Sequence, residues 1–360
     1  MSGGVDSAVA AALLKEQGYG VLGFFMRMHS GERTEKDLAD LEKVCEKLGI
    51  PLCIKDVRSR FKKEVIKYFL DSCAAGRTPN PCVFCNENFK FKIILEEGER
   101  GGFDYVATGH YARITKIQET RNKQISNFKF QISNKAQNPN FKLKTARDKS
   151  KDQSYFLYRL GQKELARIIF PLGEYEKTEV KKMAEKLGLS VSEKKESQDV
   201  CFLAGQTTEL FLKNNLKLKK GKIVNEAGRI IGEHSGLPLY TLGQRKGINI
   251  GGTGPYYVIA KDSSKNQLVV TNDKKGAALF LGKVFLEDVH WVGGDAPELP
   301  MRVLARSRYR NPLVYAIIGR QKIKKTLTIE FEKPEKALAS GQSVVFYAEN
   351  GEVIGGGIIK

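Results

Sequence analysis

Met1-Ser2-Gly3-Gly4-Val5-Asp6-Ser7-Ala8-Val9 runs without a break into Ala10-Ala11-Ala12-Leu13-Leu14-Lys15, a glycine turn feeding a helix expected over residues 8–17. Two adjacent glycines let backbone N–H groups converge with no Cβ in the way. Ser2 and Ser7 add hydroxyl donors, and the helix N-terminus adds partial positive charge. Together they suit an anion the size of pyrophosphate, with Asp6 placed where a carboxylate could hold Mg²⁺. An ordinary serine-capped helix start is the alternative that these residues leave open. The stretch is not a Walker A loop, having no Gly-Lys-Ser/Thr, and it is not a dinucleotide fingerprint.

Outward from the loop, helices expected at 35–48, 61–74 and 89–99 alternate with short apolar strands at 20–25, 51–55 and 104–108. That alternation predicts an α/β domain with a doubly wound parallel sheet covered on both faces. A phosphate loop is ordinarily fed by a central strand. Here the loop starts at the second residue, so the expectation is that apolar residues precede the given start and that two neighbouring strands otherwise hold unpaired backbone groups. Residues 115–149 read as a low-complexity insertion, a loose hairpin or a disordered loop: Gln124-Ile125-Ser126-Asn127 recurs as Gln131-Ile132-Ser133-Asn134, and Asn127-Phe128-Lys129 as Asn140-Phe141-Lys142. Helices resume near 162–168 and 176–187. From about residue 222 the texture becomes short strands with glycine turns, at 256–260, 267–270, 326–331 and 343–347, the signature of small β-barrels. The expected domains are 1–205, 206–277 and 278–360.

A chain of 360 residues is long enough for two or three domains with a core each. Sixty Lys and Arg against 41 Asp and Glu give a net charge of +19, which favours a polyanionic partner over a small neutral substrate. Residues 115–151 hold eight Lys and two Arg against one Glu and one Asp, so part of that excess sits in a segment that reads as a solvated loop. No apolar run approaches the roughly 20 residues of a membrane span, and no signal peptide precedes the loop, so a cytoplasmic protein with no membrane partner is expected. Six cysteines in that compartment point to reactive or metal-bound thiols more than to structural disulfides. Cys45, Cys53 and Cys73 sit in apolar helix or strand patterns and are expected in the core; Cys82, Cys85 and Cys201 stand apart by their neighbours.

Those neighbours are Gly76-Arg77-Thr78-Pro79-Asn80-Pro81-Cys82-Val83-Phe84-Cys85-Asn86 and Gln198-Asp199-Val200-Cys201-Phe202-Leu203. Between and beyond them come Thr108-Gly109-His110-Tyr111, Lys151-Asp152-Gln153-Ser154, Pro171-Leu172-Gly173 running to Lys177, Gly243-Gln244-Arg245-Lys246-Gly247, and Gly341-Gln342. Ser2–Ser7 resembles the PP-loop of ATP pyrophosphatases, and the ordered set is similar to that of tRNA-specific 2-thiouridylases over nearly all of the chain outside 115–149. The resemblance implies an adenine nucleotide alpha hydrolase-like PP-loop domain followed by two small β-rich domains, the last a tRNA-binding barrel. It implies 2-thiolation of the wobble uridine of tRNAs for Lys, Glu and Gln, with ATP and Mg²⁺ as cofactors and a cysteine desulfurase or sulfur-relay protein as partner.

The chemistry is consistent with that reading. Oxide is a hopeless leaving group, so replacing a uracil oxygen by sulfur calls for adenylation of the oxygen and then attack by a thiolate or persulfide. Lys194, Lys195 or Arg77 is expected to lower the pKa of the attacking thiol. By resemblance, Ser2, Gly3, Gly4, Val5, Asp6, Ser7 and Ala8 cradle the phosphates, while Met26 and Gly109 line the nucleotide pocket. Cys201 matches the persulfide carrier, and Cys85 its partner, which releases the sulfur or closes a disulfide. Asn80, Pro81 and Cys82 match the segment facing the target base; His110, Lys151, Asp152, Gln153, Arg308, Tyr309 and Gln342 match tRNA-contacting positions. Many relatives have Asn-Pro-Asp where this chain has Asn80-Pro81-Cys82, so a carboxylate proposed as acid or base is missing. That substitution opens a second reading, in which Cys82, Cys85 and Cys201 ligate three irons of a [4Fe–4S] cluster, and a third, a zinc site short of a fourth ligand.

Arg302, Arg306, Arg308 and Arg310 would share one face of a continuous strand, either as a charged barrel exterior or as a phosphate-tracking stripe. Two rival functions remain: another PP-loop ligase, which has no use for Cys85 and Cys201, and a non-catalytic tRNA-binding protein.

Overall fold

Helix α1 (Val5–Glu16) is buried on nearly every side, Val5 and every residue from Ala8 to Leu14 included. Small alanines let layers close on it from two directions. One layer holds Phe25 of β1 (Gly23–Arg27) with Leu41 and Cys45 of α2 (Glu32–Leu48); the other holds Val180 and Ala184 of the helix Lys177–Lys186. The computed structural model describes residues 1–116, 141–189, 200–248, 250–251, 255–320 and 326–360.

Strand β1 pairs in parallel with β2 (Leu52–Asp56), and β3 (Val106–Ala107) in parallel with β6 (Ile168–Ile169). The expected parallel sheet is thus present as two pairs, with Phe24, Phe25 and Met26 of β1 and both residues of β3 facing one cavity. Cys45 and Cys73 lie in the core as expected, but Cys53 is exposed, because β2 forms an edge whose central residues face outward. The expected insertion 115–149 loses its ends to regular structure. Strand β4 (Ala112–Lys116) pairs antiparallel with β5 (Phe141–Thr145), which places Leu143 fully inside the core, while the internal repeats at 124–134 lie outside the described residues.

The middle of the chain forms a four-stranded sheet in the order β8-β7-β10-β9: Ile230–His234, Gly221–Asn225, Gln267–Thr271 and Tyr257–Asp262. The C-terminal strands close into a six-stranded barrel: β11 (Phe280–Trp291), β12 (Met301–Arg306), β13 (Val314–Arg320), β14 (Leu327–Lys336), β15 (Ser343–Tyr347) and β16 (Val353–Ile359). Alternation along β12 sends Val303 and Ala305 inward and Arg302 and Arg306 outward.

The barrel is welded to the first domain. Tyr155 and Tyr158 share a core with Val345, Tyr347 and Val353, and their hydroxyls donate to the Ser343 carbonyl (2.9 Å) and Ser343 Oγ (3.3 Å). This seam corrects the arginine stripe. Arg306 donates to the enclosed Asp152 (3.3 Å), Arg308 to the carbonyls of Ala337 (2.6 Å) and Leu242 (3.3 Å), and Arg302 to Glu332 (2.9 Å). The strand ends at Arg306, so the four arginines do not form one row.

Candidate active site

The glycine turn is clamped from behind. Gly3 has φ +69°, and a Cβ there would meet the Asp37 carbonyl oxygen at 2.5 Å; a Cβ on Gly109 would meet the Asp6 backbone at 2.8 Å and the Ser7 nitrogen at 2.9 Å. Ser7 Oγ donates to the Gly4 carbonyl (3.0 Å) and accepts from the Ser2 N–H (3.1 Å), which shapes the loop from within. No side chain caps α1, so its first amides stay available to an anion. Ser2 to Ser7, Met26 and Gly109 all line one cavity, while Ala8 lies behind it in the core.

Asp6 does not stand free. Lys177 Nζ donates to both of its oxygens (2.7 and 2.8 Å), and the Tyr111 hydroxyl donates to Oδ1 (2.7 Å). Lys177 is itself buried, with its ammonium 5.8 Å from the Tyr111 ring centre. The positive charge at the loop is therefore a lysine. Among the described residues no group of three or more His, Cys, Asp and Glu side chains stands at metal-holding spacing. Cys82, Cys85 and Cys201 are not brought to such spacing.

Cys82 and Cys85 ride on a helix over residues 81–100. Asn80 caps it by accepting from the Val83 N–H (3.3 Å), and Pro81 occupies its first position, so Asn80 and Pro81 first of all set the direction of the cysteine-bearing turn. The next turn, Asn86–Lys90, is π-helical. Cys201 opens a 3-10 turn, Cys201–Leu203, whose Phe202 and Leu203 share a core with Cys85. Cys82, Cys85 and Cys201 all line the same space of about 1820 Å³ as the glycine turn. That volume exceeds the usual range for one small ligand, leaving room for a nucleotide and a base together.

The thiols are protonated as they stand. Burial pushes Cys82 up to about 11, with the charge of Cys201 adding to it, and pushes Cys85 up to about 12. Cys201 is raised by burial as well, although its residue is exposed overall. All six cysteines are free. Of the cations expected to lower these values, Arg77 is paired with Glu287, and Lys194 and Lys195 lie outside the described residues. The cation that acts on all three thiols is Lys90, which sequence reasoning passed over.

The residues matched to tRNA contacts divide into two groups. Lys151, Gln153, His110 and Tyr309 line the cavity with Asn80, Pro81 and Cys82. His110 is held well below its ordinary pKa by burial and by Lys90, so it is neutral, its Nδ1 bonded to Thr108 Oγ1 (2.8 Å). Gln153 exchanges hydrogen bonds with the Tyr111 backbone (2.8 and 2.9 Å), and Tyr309 packs on Phe156 at 4.4 Å between ring centres. Asp152, Arg308 and Gln342 lie outside the cavity lining and make bonds within the protein: Asp152 accepts from the Ala146 and Ser154 amides, Arg308 donates to the Leu242 carbonyl, and Gln342 donates to the Thr78 carbonyl (2.8 Å).

Comparison with known proteins agrees with this architecture. Residues 1–205 match the tRNA methyl transferase HUP domain, 209–272 the tRNA methyl transferase PRC-barrel domain, and 282–359 the aminomethyltransferase beta-barrel domain. The tRNA-specific 2-thiouridylase MnmA of Roseiflexus sp. (strain RS-1) is 41% identical over 370 residues, covering 100% of this chain and 97% of that protein. The proteins of the same name from Geobacillus thermodenitrificans (39% identical) and Proteus mirabilis (40%) also cover 100% of this chain, and 93% and 95% of their own length. The chain belongs to the tRNA-specific 2-thiouridylase family.

Proposed function

We propose that the chain replaces the 2-oxygen of the tRNA wobble uridine by sulfur in an ATP-dependent reaction. The observation that carries the reading is the shared cavity: an uncapped helix N-terminus behind a glycine turn faces the same space as three thiols drawn from positions 82, 85 and 201. The phosphates of ATP lie on the amides of the turn, and the uridine oxygen attacks the α-phosphorus as pyrophosphate leaves. The terminal sulfur of a persulfide on Cys201 then attacks C2, and AMP departs with the former oxygen. Cys85, deprotonated, attacks Cys201 Sγ, so that a Cys85–Cys201 disulfide forms and the sulfur stays on the base; a thiol reductant restores both cysteines. Asp6, held by Lys177 and Tyr111, keeps the turn in shape.

A cysteine desulfurase or relay protein supplies the sulfur, and tRNAs for Lys, Glu and Gln are the substrates we expect. The basic cavity wall, with Lys90, Lys151, Lys181 and Arg310, suits the phosphates of an anticodon loop. The test is direct: the purified chain, unmodified tRNA, ATP, and a cysteine desulfurase with cysteine as the persulfide source should give one 2-thiouridine and one AMP per tRNA by mass spectrometry. Thiolation that proceeds equally well without ATP, or none with every component present, would refute the proposal.

A further inference from the structure

Buried thiols near pKa 11 and 12 are poor nucleophiles at neutral pH without a cation beside them. We propose that Lys90 is a catalytic residue of sulfur transfer, its ammonium holding the anionic sulfur at Cys85 and Cys201. This rests on the cysteine-borne sulfur chemistry proposed above.

The argument begins with helix geometry. Cys82 and Cys85, three residues apart, share a face. In an uninterrupted α-helix a residue five beyond Cys85 would be turned away by about 140°. The turn Asn86–Lys90 is π-helical, its bonds spanning five residues, which brings Lys90 back toward the face that carries Cys85. Two anchors fix that placement. Phe89 and Phe91 on either side are fully buried, Phe89 edge-on to Phe61 at 5.2 Å and Phe91 at 5.8 Å from His110. Lys90 between them is only half-buried and lines the cavity.

The groups around this ammonium are Cys82, Cys85, Cys201, the neutral His110 and the Met1 ammonium. Lys90 makes no ion pair with a carboxylate among the described residues, so its charge is not spent elsewhere in them. A lysine ammonium on a flexible stem can follow sulfur between Cys201 and Cys85 as the charge moves, which a fixed helix dipole cannot.

The experiment uses the full-length chain with Lys90→Met and Lys90→Arg. Brief iodoacetamide pulses from pH 7 to 11 are read at Cys85 and Cys201 by peptide mass spectrometry, beside single-turnover thiolation. In Lys90→Met both alkylation curves should move up by about one pH unit, a roughly tenfold slower reaction at fixed pH. Lys90→Arg, which keeps the charge, should stay near the parent curve. Parent-like curves in Lys90→Met, or Lys90→Arg as slow as Lys90→Met, would overturn the assignment. A chain that never thiolates tRNA yet shows the shifted curve retires the functional reading and, with it, the catalytic role, leaving only the pairing of Lys90 with the thiols; a thiolating chain with an unmoved curve overturns the Lys90 assignment alone.

Discussion

Lys177→Met isolates the ion pair beneath the phosphate turn. At 2.7 Å and an effective dielectric of 20, the Lys177–Asp6 attraction is about 6 kcal/mol before dehydration of the ammonium, which cancels much of it. Removing Lys177 leaves an Asp6 carboxylate that is 33% exposed and still bonded to Tyr111, so the loss should be about 2–3 kcal/mol, below that of a fully enclosed pair. Asp6→Asn strands the more deeply buried partner, at 9% exposure, and should cost about 3–5 kcal/mol. The double variant should then lose less than the sum of the singles by at least about 1.5 kcal/mol. Native-state hydrogen exchange of the α1 amides, which lie inside the first domain, reads the effect locally, and nucleotide binding reads it at the turn. Additivity within about 0.5 kcal/mol, or parental protection of α1 in Lys177→Met, would refute the reasoning.

Gly109→Ala drives a methyl group into the Asp6–Ser7 backbone and should weaken ATP binding at least tenfold while leaving tRNA binding within about threefold; titration of each ligand separates the two. Cys201→Ala should abolish thiouridine while tRNA affinity stays at the parent level, and a retained product signal would count against Cys201 as the sulfur carrier. Arg306→Ala leaves Asp152 buried without its cation and should cost about 2–4 kcal/mol, whereas the exposed Arg302→Ala should cost under about 0.5; matching urea midpoints would contradict the division. Because Cys85 is raised from the ordinary 9.0 to about 12, the unfolded thiol ionises first: its contribution to stability is full below pH 9 and declines as pH rises toward 12. Cys85→Ala should flatten that decline, and an equally steep alkaline fall in the variant would exclude this cause.

Much of the site was legible in the sequence because its parts are local. A glycine pair before an alanine-rich helix fixes a turn whatever surrounds it, and Cys-x-x-Cys places two thiols on one helix face. The placing of Cys201 on the same cavity as Cys85 is set by tertiary packing, and only the ordered motif set pointed to it. Lys177 lay in a quoted stretch, but its partner is 171 residues away and no spacing rule links them. Lys90 was missed for a different reason. Period-3.6 reasoning puts it on the wrong face of its helix, and nothing local to Asn86–Lys90 announces a π turn. The start of that helix at 81 instead of 89 was recoverable, since Asn-Pro is a capping pair. The arginine row failed because alternation was extended beyond Arg306, where the strand stops and the chain turns into the seam.

The segment just before the cysteine helix is held by the last domain: the Thr78 N–H donates to the Ser340 carbonyl (2.7 Å), its own carbonyl accepts from Gln342, and Arg77 pairs with Glu287. The barrel is thus a splint for the thiols. Strain placed on its rim would travel through two peptide units to the cap of the reactive turn. Severing the chain near 278 would therefore disturb the cysteine turn as well as remove the barrel, so the two halves of this molecule constitute a single mechanical part.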